Sequence, residues 1–506
     1  MIRQAITLLV LLFPALHCSA DTTAEEQEYI PASSNWSRVA VNNITRAHEV
    51  IREAHPGVLD PTDQGFQQWF AQGFDQALEL ARQADSEGRA LAALRFYTTG
   101  YRDGHLIAWT EEAVNESPRW AGWLVRRSNG RYRVAVRAPE WPAEIPHIGD
   151  ELLSCDGQRI DDLLAEKVAP FVDRRLDLEE TRSRLALHLT SEPSYETLWA
   201  PLRLKQCEVR SSSGEVHRFV LQWQPYTDEQ QRMAIQAVPR QGIKQLRQGI
   251  YWIHATDFSL SSRKAFTSFE RLLEKVRGLE DAEAVVLDTR GNGGGNSLFG
   301  YRLLSALFKE AIQEESLSDK AETNSTGTKA YWRVSPTARN WLETVKGRIG
   351  KREGLESPTY RYIATLLSTM NEAALRGQAF VEQMDVSADE LAERGRPFAG
   401  KLVLVTDSSC VSACLGFVDM VLGIPEVVHV GSVTSGDTRY MDIARVPLSD
   451  TVKMWVPLKV WKNRKRGDNE PYVPQFTFEG DLSDTEAVQA WVLDSILPSA
   501  RKTSVQ

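Results

Sequence analysis

The spacing of apolar positions changes twice along the chain. In "ITRAHEVIREAHPGVL" and "GFQQWFAQGFDQALELARQA", within residues 36–101, apolar side chains recur three and four apart, which predicts amphipathic helices broken at Pro56-Gly57 and Asp60-Pro61. From about 115 to 226 the runs shorten and alternate, as in "RYRVAVRA" and "RFVLQW", the period of half-buried strands. Between them "IGDELLSCDGQRIDDLL" reads as a turn at Gly149-Asp150, a strand, a tight turn at Asp156-Gly157 and a helix start. From about 248 the strands become continuously apolar and alternate with helices: "GIYWIHATDF", "SSRKAFTSFERLLEKVRGL", "AEAVVLDTRGNGGGN", "SLFGYRLLSALF". A polar stretch from about 314 to 395 follows, and then "GKLVLVTDSSCVSACLGFVDMVLG" repeats the order strand, turn, helix, with "VVHVGSVTSGDTRY" adding another strand and turn. Such alternation predicts a sheet covered on both faces.

Composition sharpens this picture at a few points. A chain of 506 residues exceeds what one hydrophobic core can fill, so several domains are expected. The net charge of -9 argues against a nucleic-acid partner, which would require a basic face. The dense basic run Lys462, Arg464, Lys465, Arg466 reads as a solvated loop. At the N-terminus, Arg3, the apolar "AITLLVLLFPALH" and Cys18-Ser19-Ala20 form the pattern of a secretory signal over residues 1–20, too short to span a bilayer. The mature chain is therefore expected to be soluble, without an integral membrane segment, and periplasmic or secreted. Export permits disulfides; Cys155 with Cys207 and Cys410 with Cys414 are the candidate pairs, free buried thiols the alternative.

Two turns carry the candidate chemistry, because ligands in such sheets bind beyond the carboxyl ends of the strands. In the first, Gly291, Gly293, Gly294 and Gly295 free backbone amides to face an oxyanion or a phosphate. The run "RGNGGGN" lacks the Lys-Ser/Thr ending of a phosphate loop and the spacing of a dinucleotide fingerprint. In the second, Ser412 precedes an apolar helix, either as an N-cap or as a nucleophile whose developing charge the Ala413 amide would stabilise.

Taken in order, "GDELLSCDG", "VVLDTRGNGGG", "SSCVSACLGF" and "VGSVTSGD" resemble the C-terminal processing (tail-specific) and tricorn-core serine peptidases, over roughly residues 95–480. The resemblance implies an α/β peptidase core, ClpP/crotonase-like in its sheet and helices, at residues 229–498; the helical insertion at about 314–395, on which the resemblance is silent, is a candidate lid for the site. It also implies an N-terminal helical region at 28–114 and an inserted PDZ-like β domain at 115–228 that would present polypeptide C-termini. Ser412 becomes the nucleophile, and the amides of Gly294 or Gly293 and of Ala413 the oxyanion hole; no metal or cofactor is implied.

One departure matters. The processing proteases use a lysine base, and its position here holds Asp437. The branch that uses histidine carries an Asp-Gly-His turn, present here as Asp103-Gly104-His105, which nominates His105 as general base. Glu470, or Asp468 beside it in "RGDNEPYVPQF", is the candidate for orienting the imidazole, with Asp103 as a further option. The rival reading is a family member that has lost catalysis and binds a peptide or a hydrophobic ligand.

Overall fold

The computed structural model describes residues 35–499 apart from 113, 115–117, 194, 196, 226–238, 310–327 and 384–395. The signal expected at residues 1–20 lies outside the described residues. Helices Asn35–Ala54, Gln64–Arg82 and Glu87–Thr99 open the fold. The first buries Ala40, Ile44, Ala47, Ile51 and Ala54, one stripe of a helix, and the next two are capped by Asp63 and Ser86 side chains that accept first-turn amides.

The stretch at 314–395 is built into the N-terminal half. Its described part forms strands Lys329–Arg333 and Phe380–Glu382 and helices Pro336–Glu353 and Pro358–Leu375. Leu342, Ile349, Leu366 and Met370 share one core with Ile44, Ile51 and Tyr97. Met454, Val456 and Leu458 of the long strand Val452–Lys462 complete that core. This strand pairs with Tyr440–Pro447, Lys329–Arg333 and Ala108–Thr110, so one element ties the early and late parts of the sequence together.

Residues 123–220 fold around strands Trp123–Ser128, Arg131–Arg137, Glu151–Cys155, Gln206–Arg210 and Val216–Val220, paired antiparallel in that order. Cys155 and Cys207 are register partners on adjacent strands and form a disulfide with a Cα separation of 4.0 Å.

The α/β half is a six-stranded sheet in the order Gly242–Arg247, Ile250–His254, Ala284–Asp288, Lys401–Thr406, Val428–Gly431, Phe476–Thr477, parallel after the first pair. Alternate residues feed two cores. Val285, Leu287, Leu402 and Leu404 pack under helices Arg263–Val276, Ser297–Phe308 and Ala413–Leu422, while Val286, Val403 and Val405 meet Val488 and Val492 on the other face. Each such side chain contributes about 1.5–3 kcal/mol when fully buried. A sheet covered on both faces in this way is a rigid base for whatever its loops carry.

Candidate active site

Adjacent parallel strands Ala284–Asp288 and Lys401–Thr406 end side by side, with Asp288 opposite Val405. The two turns that follow are bonded to each other: Thr289 N–H donates to Val405 O at 2.9 Å and Gly291 N–H to Asp407 Oδ2 at 2.9 Å. Gly294 then passes so close to the second turn that a Cβ there would lie 2.7 Å from Val411 O, 2.9 Å from Ser412 Cβ and 3.1 Å from Ala413 N. Its φ of 90° adds a second reason for glycine.

Ser412 has φ 59° and ψ -123°, a conformation that costs a non-glycine residue about 1–3 kcal/mol. An N-cap would sit in the β region with its oxygen on a first-turn amide. Ser412 makes no such bond; its carbonyl starts the helix by accepting Gly416 N–H at 3.2 Å, and its hydroxyl is left for other work. Ala413 N–H belongs to the first helical turn, whose amides have no intrahelical acceptor. The disulfide Cys410–Cys414 closes a short ring around Ser412. Gly294 N–H is engaged by Asn292 Oδ1 at 2.9 Å, whereas Gly293 is exposed.

The Asp103-Gly104-His105 turn follows the Glu87–Thr99 helix. Asp103 accepts His105 N–H at 2.8 Å, its Oδ1 lies 3.7 Å from His105 Nδ1, and its Oδ2 lies 3.4 Å from His55 Nε2. Burial alone would raise the Asp103 carboxyl, but the His55 hydrogen bond and the neighbouring His105 outweigh it and hold the acid below its ordinary value. His105 is largely buried, its side chain 11% exposed, and its Nδ1 has no hydrogen-bond partner.

What stands where the lysine would be is a buried ion cluster. Asp437 is 0% exposed and accepts from Arg464 Nη1 at 3.0 Å and Arg466 Nη1 at 2.6 Å. Arg466 continues to Asp419 at 3.2 Å, and Asp419 accepts the Tyr472 hydroxyl. The reading of the basic run as a solvated loop therefore fails for two of its members. The Arg464 and Arg466 side chains are 9% and 3% exposed, because Asp437 and Asp419 supply the charge that lets a guanidinium be buried.

Arg175 links this cluster to the histidine turn. It lies against Gly104, where a Cβ would meet Nη1 at 2.6 Å, and donates to Gly436 O at 3.0 Å. Burial would lower its guanidinium, but Asp173 above all, with Asp103 and Asp437, raises it. From Gly436 the path to the Ser412 turn is short: Ser435 N–H donates to Cys410 O at 3.1 Å. Asn469 closes the other side, donating to Arg102 O at 3.0 Å from Nδ2 and to Asp437 O at 2.8 Å from its N–H.

The remaining candidates are placed as follows. Glu470 Oε2 accepts Gly467 N–H at 2.6 Å, and Asp468 is held by Arg439 at 2.6–2.9 Å. Among the described residues no hydrogen bond joins either to His105. The sequence pattern singles out none of His55, Arg175 and Asn469. Each acts through a partner distant in sequence, for which local pattern carries no signal. The antiparallel region at 123–220 reaches the Ser412 turn through Glu180, whose Oε2 accepts the Ser408 hydroxyl at 3.1 Å.

Among the described residues no cluster of three or more His, Cys, Asp or Glu is arranged for a metal, and no helix is long and apolar enough to cross a membrane. No curated protein matches the chain in sequence. The crystal structure of mature CPAF superposes with a TM-score of 0.62 at 14% identity, over 88% of this chain and 93% of that one, and the complex of mature CPAF with lactacystin gives 0.60 at 14% over 88% and 94%. The photosystem II D1 C-terminal processing protease aligns over 89% of this chain and 96% of its own at 13% identity with a TM-score of 0.37. The likeness to CPAF carries the fold. Residues 249–471 match the model of peptidase family S41, so this segment is an S41 domain and the chain that carries it is a serine-type peptidase, a hydrolase.

Proposed function

We propose that the chain is an exported endopeptidase that cleaves polypeptides through an acyl-enzyme on Ser412, with His105 as general base. The observation that carries this reading is Arg175, one guanidinium set between the histidine turn and the loop in which lysine has given way to Asp437. A turn bearing an imidazole thus adjoins the vacated position. In the mechanism, Ser412 Oγ attacks the scissile carbonyl while its proton passes to His105 Nε2, since Nδ1 is the nitrogen turned toward Asp103. The tetrahedral oxyanion is held by the Ala413 amide and, because Gly294 N–H is engaged, by that of Gly293. The C–N bond breaks as the imidazolium returns the proton to the amine, and water, deprotonated by the same histidine, releases the acyl group.

Two carboxylates are available to orient His105: Asp103, already beside Nδ1, and Glu470, which would have to exchange its Gly467 amide. The antiparallel domain at 123–220 is proposed as PDZ-like, with substrate C-termini as its ligands. Its disulfide and that around Ser412 support export, since such bonds persist in oxidising compartments.

The test is fluorophosphonate labelling. Wild type is expected to label, Ser412→Ala not at all, and His105→Ala more than about 10³-fold more slowly with an unchanged melt. Wild type as inert as Ser412→Ala would leave the ligand-binding reading in place of hydrolysis. Full reactivity of His105→Ala would remove the histidine from the mechanism.

A further inference from the structure

His55 follows the Asn35–Ala54 helix and is 0% exposed, so each of its ring nitrogens must be satisfied inside the protein. Gly57 N–H donates to Nδ1 at 2.9 Å. A nitrogen that accepts carries no proton, so the ring proton sits on Nε2, the atom that faces Asp103 Oδ2 at 3.4 Å. Phe66, stacked at 4.6 Å, and Tyr440, edge-on at 4.7 Å, fix the plane of the ring. The other carboxylate oxygen takes the His105 N–H and faces His105 Nδ1.

We infer that His55 is a positioning residue for the reaction: its Nε2–H holds Asp103 Oδ2, which aims Oδ1 at His105 Nδ1 and reserves His105 Nε2 for the proton of Ser412. The inference rests on the proposed Ser412 and His105 chemistry. A buried carboxylate that loses one of its donors keeps the desolvation cost without compensation, binds a proton more readily and is free to turn. The charged and titratable groups around it are His55 and His105 on either side, Arg175 across Gly104, and Arg95, Asp173 and Arg184 around the small cavity that Asp103 also lines; Tyr440 meets the edge of His55.

A purely structural role is the competitor, because the same ring caps the short Pro56–Leu59 helix through Gly57 N–H. Two substitutions separate the roles. Asn places an acceptor near Nδ1 and is too short to reach Asp103, whereas Gln places a donor near Nε2. The experiment is the rate of fluorophosphonate labelling between about pH 5 and 9, with turnover of labelled casein measured alongside. His55→Gln is expected to stay within about 3-fold of wild type, and His55→Asn to lose about 10-fold in kcat at unchanged KM. In His55→Asn the acidic limb should also move down by about half to one pH unit, since a carboxylate that is protonated or turned away no longer stabilises the imidazolium.

The reverse order, with Asn like wild type and Gln impaired, overturns the inference, as does an unmoved limb. If His55→Asn does not fold, Asp103→Asn carries the test. Loss of the counter-charge should slow labelling about 10-fold and move the limb down, and an unchanged limb overturns the inference. His105→Ala keeps the two failures apart. Full reactivity there sinks the base itself, whereas an inert His105→Ala beside a wild-type-like His55→Asn sinks only the role of His55.

Discussion

Asp288 and Asp407 stand at the ends of neighbouring parallel strands, both inside the protein, and their acidities are driven in opposite directions. Burial raises any carboxyl, yet Asp288 is brought down to about 2, because Arg290 grips both of its oxygens, with His254 and Trp252 adding donors. Asp407 is buried as well and is pushed up to about 7. It has the backbone amides of Gly291 and Ser409 and, among the described residues, no cation to match, with Asp288 and Glu180 as neighbouring acids. The two turns are built differently in the same sense. The first relies on glycines and a locked ion pair; the second holds a non-glycine residue in a left-handed conformation inside a disulfide ring. Comparable places in one sheet have thus been made into a locked glycine turn and a turn that holds a strained serine.

The comparison can be attacked from its firm side first. Asp288→Asn leaves Arg290, 1% exposed, without its counter-ion and should cost about 3–5 kcal/mol in denaturant unfolding. The wild type's advantage over this variant should be complete above about pH 4 and vanish as the pH falls toward 2, because the folded state holds that acid ionised below its unfolded range. A smaller effect is expected where the turns touch: Gly294→Ala drives a Cβ into backbone atoms beside Ser412 and should lower the labelling rate about 100-fold, close to 2.7 kcal/mol in barrier. Replacing Cys410 and Cys414 together by serine removes a short covalent loop worth about 2 kcal/mol and should slow labelling several-fold while the melt drops by a few degrees. The remaining test is Asp407, whose sign is opposite to that of Asp288. A carboxyl whose folded pKa exceeds its unfolded one stabilises the fold at low pH and loses that contribution as pH rises from about 4 through 7. The Tm difference between wild type and Asp407→Asn should shift in favour of the variant over that interval.

Much of the α/β half was legible because its signals are local. "AEAVVLD" and "KLVLVT" are continuous apolar runs that end in turn residues, and the structure has strands Ala284–Asp288 and Lys401–Thr406 there. A lone serine before an apolar helix is ambiguous in sequence. Its backbone angles set it apart from an ordinary cap, and the turn packs against Gly294, more than a hundred residues away. The basic run was misread for a related reason: Arg464 and Arg466 look solvated until Asp437 and Asp419, 27 and 47 positions off, are brought beneath them. His55 carries no signal of its own in the sequence, because its partner Asp103 lies 48 positions on.

The pairing of Ala108–Thr110 with Val452–Met454 has a consequence in time as well as space. The short strand directly after the histidine turn finds its sheet partner only when nearly the whole polypeptide has been made. Until then the Asp103-Gly104-His105 turn hangs from a helical bundle whose core still lacks Met454, Val456 and Leu458. On the proposed mechanism, the site is therefore completed in one late step of synthesis instead of building up along the chain.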